Sequence, residues 1–75
     1  MNAHEITESM LGETGLPQRE ISRRAGYYPT YVHDLIRRDI TPKADALARI
    51  ADACGYDLLV RRRIDEYEMI IDPYD

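Results

Sequence analysis

The sequence is poor in residues that cross-link or coordinate. It has one cysteine, Cys54, and two histidines, His4 and His33, among 75 residues. One thiol cannot close an intrachain disulfide, and these three side chains are too few for a closed zinc site. A reducing cytoplasm is the natural setting for such a chain, and no metal or other cofactor is expected. No apolar stretch approaches the roughly 18 residues needed to span a bilayer. The opening MNAHEITESM has neither the basic segment nor the apolar one that directs secretion. A soluble, cytoplasmic chain without membrane association is therefore expected. Length excludes more: a chain of this size buries about 60% of its unfolded surface, enough for one small core and too little for a multidomain enzyme.

What is present is an ordinary globular composition, 44% hydrophobic and 32% charged, far from the low-hydrophobicity corner where chains stay disordered. The net charge of -4 argues against a polyanionic partner only while position is ignored. Residues 1–15 carry -3, through Glu5, Glu8 and Glu13. Residues 16–49 carry +3, from Arg19, Arg23, Arg24, Arg37, Arg38, Lys43 and Arg49 against Glu20, Asp34, Asp39 and Asp45. Residues 50–75 carry -4. A basic middle lies between acidic ends.

Asn2 and Glu5 have capping-box spacing, and Ile6 with Met10 recurs at i, i+4 before Gly15, which predicts a helix over 3–14. Leu16-Pro17 opens a second helix, with Ile21 and Ala25 on its buried stripe and Gly26 at its end. From Pro29 a third helix carries Val32, Leu35 and Ile36 and stops near Asp39. Thr41-Pro42 has the form of an N-cap followed by a first-turn proline. Leu47, Ile50, Ala51 and Cys54 then keep helical spacing to Gly55, predicting a helix over 42–54. Cys54 on that stripe reads as inert core.

After Gly55 the period changes. YDLLVRRR and EYEMIID are rich in branched and aromatic residues, with Leu58 and Val60, then Tyr67, Met69 and Ile71, at period two. They read as two strands of a hairpin ended by Pro73. The turn around Ile64-Asp65-Glu66 has no Gly or Asn, so a loop longer than two residues is expected. Leu59 and Ile70 put apolar side chains on the other face, which needs a cover.

Residues 16–55, LPQREISRRAGYYPTYVHDLIRRDITPKADALARIADACG, resemble the lambda-repressor-like, or XRE (Cro-like), family of helix-turn-helix DNA-binding domains. The resemblance rests on Gln18, Ala25-Gly26, Val32 and Leu35, then Leu47, Ile50, Ala51 and Gly55. It covers about half the chain, and the first helix fits the family as well. The tail resembles small repressors and antitoxins whose strands pair between subunits. The implied fold is mainly α: a four- to five-helix lambda-repressor-like domain over 1–55, followed by a C-terminal β-hairpin over 56–75 that serves dimerisation. By this resemblance the third helix enters the major groove, with Pro29, Thr30, His33 and Asp34 toward base edges. Thr30 suits either kind of base, and Asp34 can accept from cytosine N4 or else pair with Arg37 or Arg38. Gln18, Arg19, Tyr28, Tyr31, Arg37, Arg38 and Lys43 are the implied phosphate contacts. Tyr28 and Pro29 stand where the family favours small polar residues.

The tyrosines have a second reading as packing at the turn. Arg61-Arg62-Arg63 reads as a solvated strand face paired with Glu66 or Glu68 rather than as a nucleic-acid patch. No nucleophile accompanies His33, and His4-Glu5 lacks the rest of an HExxH pattern, so no enzyme is expected. The expected function is a sequence-specific transcriptional regulator, a repressor of phage, prophage or toxin-antitoxin type. It would bind an inverted-repeat operator on double-stranded DNA as a homodimer joined through Leu59, Met69, Ile70 and Ile71. The alternative is a protein-interaction module whose acidic hairpin binds a toxin or another regulatory protein.

Overall fold

In the computed structural model, which describes residues 1–74, the chain enters α1 (Ala3–Thr14) through a reciprocal cap. The Glu5 N–H donates to Asn2 Oδ1 at 2.8 Å, and the Asn2 N–H donates to Glu5 Oε1 at 3.1 Å. Two amides that the helix start would leave without partners are thus satisfied. The helix ends at Gly15, φ 70°. Asp75, the last residue of the expected hairpin segment, lies outside the described residues.

The next three helices, α2 (Gln18–Arg24), α3 (Tyr31–Arg37) and α4 (Ala44–Ala53), share one ending. Each chain end turns left-handed and folds two amides back onto the last carbonyls, which satisfies acceptors the helix would otherwise strand. The donor and acceptor pairs are Tyr27 to Ser22 and Gly26 to Arg23 after α2, Ile40 to Leu35 and Asp39 to Ile36 after α3, and Tyr56 to Ala51 and Gly55 to Asp52 after α4, at 2.8 to 3.2 Å. Gly26 (φ 85°) and Gly55 (φ 84°) hold the left-handed position where the sequence predicts a stop. After α3 that position falls to Asp39, φ 52°.

Two helix starts differ from expectation. Pro17 is the residue before α2 rather than inside it, and its carbonyl accepts the Glu20 and Ile21 amides at 3.0 and 3.2 Å. Thr41-Pro42 does not open α4: the helix starts at Ala44 after Lys43, with no side-chain cap. Pro42 is buried and lines a hollow with Tyr31 and Leu35. Packing claims the ring, and a residue before proline is biased away from the helical region, which favours a start beyond Pro42.

Each helix contributes to one core of Met10, Ile21, Ala25, Val32, Leu35, Leu47, Ile50 and Ala51. Helix α2 packs on α3, and both α1 and α2 pack on α4. Each fully buried aliphatic side chain contributes about 1.5–3 kcal/mol. Ile36 and Cys54 pack at the margin of this core, and burial pushes the Cys54 thiol up from its ordinary range.

Strands β1 (Leu59–Arg61) and β2 (Glu68–Ile70) pair antiparallel, with Leu59 opposite Ile70, Val60 opposite Met69 and Arg61 opposite Glu68. They are shorter than the two runs at period two, because among the described residues no third strand pairs with them and all six residues are exposed. The loop closes through Arg62 N–H to Tyr67 C=O and Glu66 N–H to Arg62 C=O, both 2.8 Å, with Glu66 left-handed at φ 61°. This is the longer turn the sequence implies. The arginine run, however, reaches neither Glu66 nor Glu68: Arg62 forks onto Asp65 within the loop at 2.9 and 2.7 Å. Leu58 packs against the core and Ile71 is half-buried, so the hairpin is rooted only at its base.

Beyond β2 the chain returns across α4 to the end of α2. Arg49 Nε donates to the Pro73 carbonyl at 2.9 Å, and the Tyr74 hydroxyl donates to the Arg24 carbonyl at 3.3 Å. The Arg49 guanidinium lies 5.4 Å from the Tyr74 ring centre and 5.9 Å from that of Tyr27, a cation–π arrangement on both. Among the described residues no helix is long and apolar enough to cross a membrane.

Candidate nucleic-acid interface

One hydroxyl bonds both α2 and the start of α3. Ser22 Oγ, fully buried, donates to the Gln18 carbonyl at 3.0 Å and accepts the N–H of Val32 at 3.1 Å. Val32 lies in the first turn of α3, where amides lack partners within their own helix. A side chain of α2 therefore caps α3. Thr30, which precedes α3 and is placed to cap it, makes no such bond, and its residue is exposed.

Aromatic packing stiffens the connection. Tyr27 and Tyr31 stack with centroids 4.0 Å apart, and Tyr28 meets Tyr31 edge-on at 5.5 Å. Burial pushes the Tyr31 phenol up, and Tyr27, Tyr28 and Asp45 add to the shift. Tyr31 is thus neutral at physiological pH, half-buried by its neighbours, whereas Tyr28 is 56% exposed.

On α3 the inward residues are Val32 and Leu35. Thr30, His33, Asp34 and Arg37 follow one another at i, i+3, i+4 and i+7, so they form one outward stripe. Thr30, His33 and Arg37 are exposed, Asp34 is half-buried, and Pro29 is exposed beside Thr30. Asp34 pairs with neither Arg37 nor Arg38. Gln18 flanks the helix on one side, half-buried in a hollow lined also by Leu16, Pro17 and Ile36. Lys43 flanks it on the other, at a hollow with Tyr31 and Leu35.

Ion pairing sorts the cations of the basic middle. Glu20 holds Arg23 at 3.0 Å and Arg24 at 3.1 Å. Among the described residues Arg19, Arg37, Arg38 and Lys43 hold no carboxylate, and all four are exposed. These four are the cations implied as phosphate contacts. The sequence reading did not find Ser22 or the role of Arg49. A polar residue beside Ile21 on the buried side of α2 was the available signal for Ser22. Arg49 had none, since its carbonyl partner is 24 residues away.

The stripe offers a hydroxyl, an imidazole and a carboxylate in sequence along a helix about 10–12 Å across, a match for a major groove about 12 Å wide. Hydrogen-bonding groups of mixed polarity there, with unpaired cations at the flanks, suit a ligand that has patterned edges between two rows of anions. No family model, curated protein or solved structure matches the chain.

Proposed function

We propose that the chain is a sequence-specific DNA-binding transcriptional regulator of the lambda-repressor-like kind, with α2 and α3 as its helix-turn-helix and α3 in the major groove. The observation that carries this reading is the outward stripe of α3: Thr30 makes no capping bond, and among the described residues His33 and Asp34 hold no ion pair, while Arg37 on the stripe and Arg19, Arg38 and Lys43 are exposed and likewise unpaired. Pro29, Thr30, His33 and Asp34 meet base edges. Gln18, Arg19, Tyr28, Arg37, Arg38 and Lys43 meet phosphates, with Tyr31 contributing its hydroxyl at the rim. Residues 1–55 form the DNA-binding unit, and the hairpin beyond them joins two copies through Leu59, Met69, Ile70 and Ile71, so the operator is an inverted repeat. Repression is by occlusion. The acidic ends suppress loose binding, because affinity for the backbone follows the local basic face rather than the net charge.

Selection from a random duplex pool, followed by a salt titration on the enriched sequence, tests this. A two-fold motif with half-sites roughly 34–36 Å apart is expected. Absence of enrichment at any salt would overturn the reading. It would leave the second one, a protein-interaction module, which the exposed apolar residues of the hairpin, Val60, Ile64, Tyr67 and Met69 among them, favour.

A further inference from the structure

We propose that two copies of this chain pair through the free edge of β1, antiparallel about a two-fold axis at Leu59. The inference rests on the dimer of the reading above and narrows its interface: Leu59 and Ile70 stay in it, whereas Met69 and Ile71, on the β2 side and on the other face of the sheet, fall outside it. Backbone parity selects the residues. Ile71 N–H donates to Leu58 C=O, and Arg62 N–H donates to Tyr67 C=O, so 58, 60 and 62 turn their backbone polar groups into the hairpin. In an antiparallel ladder the alternate residues turn theirs outward. On the β1 side these are Asp57, Leu59 and Arg61; on the β2 side they are Glu68, Ile70 and Asp72.

Such edges are unpaired templates for another strand, and a two-stranded hairpin by itself is marginal in water. Its strand residues are exposed throughout, Leu59 at 39% and Ile70 at 63%. Self-pairing about a two-fold axis must match each side chain with a fixed opposite number, so charge chooses the edge and the register. Centred on Leu59, the β1 edge sets Leu59 against its own copy and Arg61 against Asp57 of the second copy, twice by symmetry. Arg61 has no ion pair among the described residues, so it is free to take one. Ile70 lies beside Leu59 in the hairpin register, so an apolar row of Ile70, Leu59 and their two counterparts crosses the four-stranded sheet.

The competing arrangements are worse matched. Centred on Ile70, the β2 edge sets Glu68 against Asp72 twice, and like charges directly opposite destabilise a sheet. Centring β1 on Arg61 sets two arginines together. Centring it on Val60 leaves Leu59 opposite Arg61.

Charge reversal tests the pairing by sedimentation over a concentration series. Asp57→Arg alone sets Arg against Arg61, and Arg61→Asp alone sets Asp against Asp57; each should weaken the dimer about tenfold, from two repelling pairs. Mixing the two variants restores a dimer, since both cross-pairs are then Arg with Asp. Leu59→Arg, which leaves the hairpin's own ladder intact, should give a monomer with unchanged far-UV circular dichroism. A wild type monomeric at every concentration overturns the dimer itself. Single variants as dimeric as wild type overturn the β1 edge, and weakened variants that stay apart on mixing overturn the register. A dimer with this pattern and no DNA selectivity upholds the interface while sinking the DNA reading.

Discussion

The hydroxyl of Ser22 on α2 caps α3 by accepting the Val32 amide at 3.1 Å. The bond couples two helices across ten residues of chain and takes over the capping task from Thr30. It also ties the helix that carries the exposed stripe to α2. Deleting it leaves a buried N–H with no partner, which costs far more than an exposed hydrogen bond would.

Ser22→Ala should therefore lower stability by about 1–3 kcal/mol, read by urea denaturation. A loss under about 0.5 kcal/mol, the usual range for a surface change, would mean that water or a neighbour takes the Val32 amide.

Asp39 holds the left-handed position after α3, where glycine is unstrained. Asp39→Gly relieves that strain, worth about 1 kcal/mol, and removes an acid from the negative end of a helix dipole. It also loses the 3.3 Å contact with His4, which is small because the carboxylate is exposed. The melting temperature should rise in scanning calorimetry, whereas Asp39→Ala should lower it. Equal melting points for the two variants would refute the strain.

Base and phosphate roles separate in binding assays. Thr30→Ala should relax preference at one operator position by about 1–3 kcal/mol, while Lys43→Ala should weaken all sequences alike and reduce the salt slope by about one unit. If both variants act uniformly, the assignment of the α3 stripe to base edges fails.

The hairpin loop should respond to acid. The Arg62 guanidinium, and after it the Tyr67 N–H, hold the Asp65 carboxyl below the usual carboxylate range. A group with a lowered folded pKa stabilises above its unfolded value and loses that contribution as pH falls through the folded value. The Tyr67 amide resonance should thus hold steady at neutral pH and move toward its random-coil position below the usual carboxylate range. Asp65→Asn should abolish the titration; a resonance that still moved would belong to another acid.

Much of the helical layout was legible because it is written in local chemistry. Asn2 with Glu5 fixed the start of α1, and Gly26 and Gly55 marked two left-handed ends. The start of α4 was not, since Thr41-Pro42 has the form of a cap and only tertiary packing turns Pro42 inward. Asp39 hid its left-handed role because an aspartate at a helix end is ordinarily read as a charge. The strands were overextended because period two fills the runs 56–63 and 66–72, but pairing stops where no neighbour supports it. In the candidate site, the stripe on α3 followed from helical spacing, whereas Ser22 and Arg49 act through partners that sequence order keeps apart.

The strap formed by Pro73 and Tyr74 has a bearing on the order in which the chain assembles. Capping, the helix ends and the Ser22 bond join residues close in sequence, and such contacts close quickly. The Tyr74 hydroxyl reaches Arg24 over 50 residues, and closing that loop carries a larger entropic cost. Helices α1 to α4 should thus be in place before the tail lands, and the tail should be the first segment to lift on heating. Hydrogen exchange would record this as earlier loss of protection at the Tyr74 amide, which donates to Asp72 Oδ1 at 2.9 Å, than at Ile21 or Ile50.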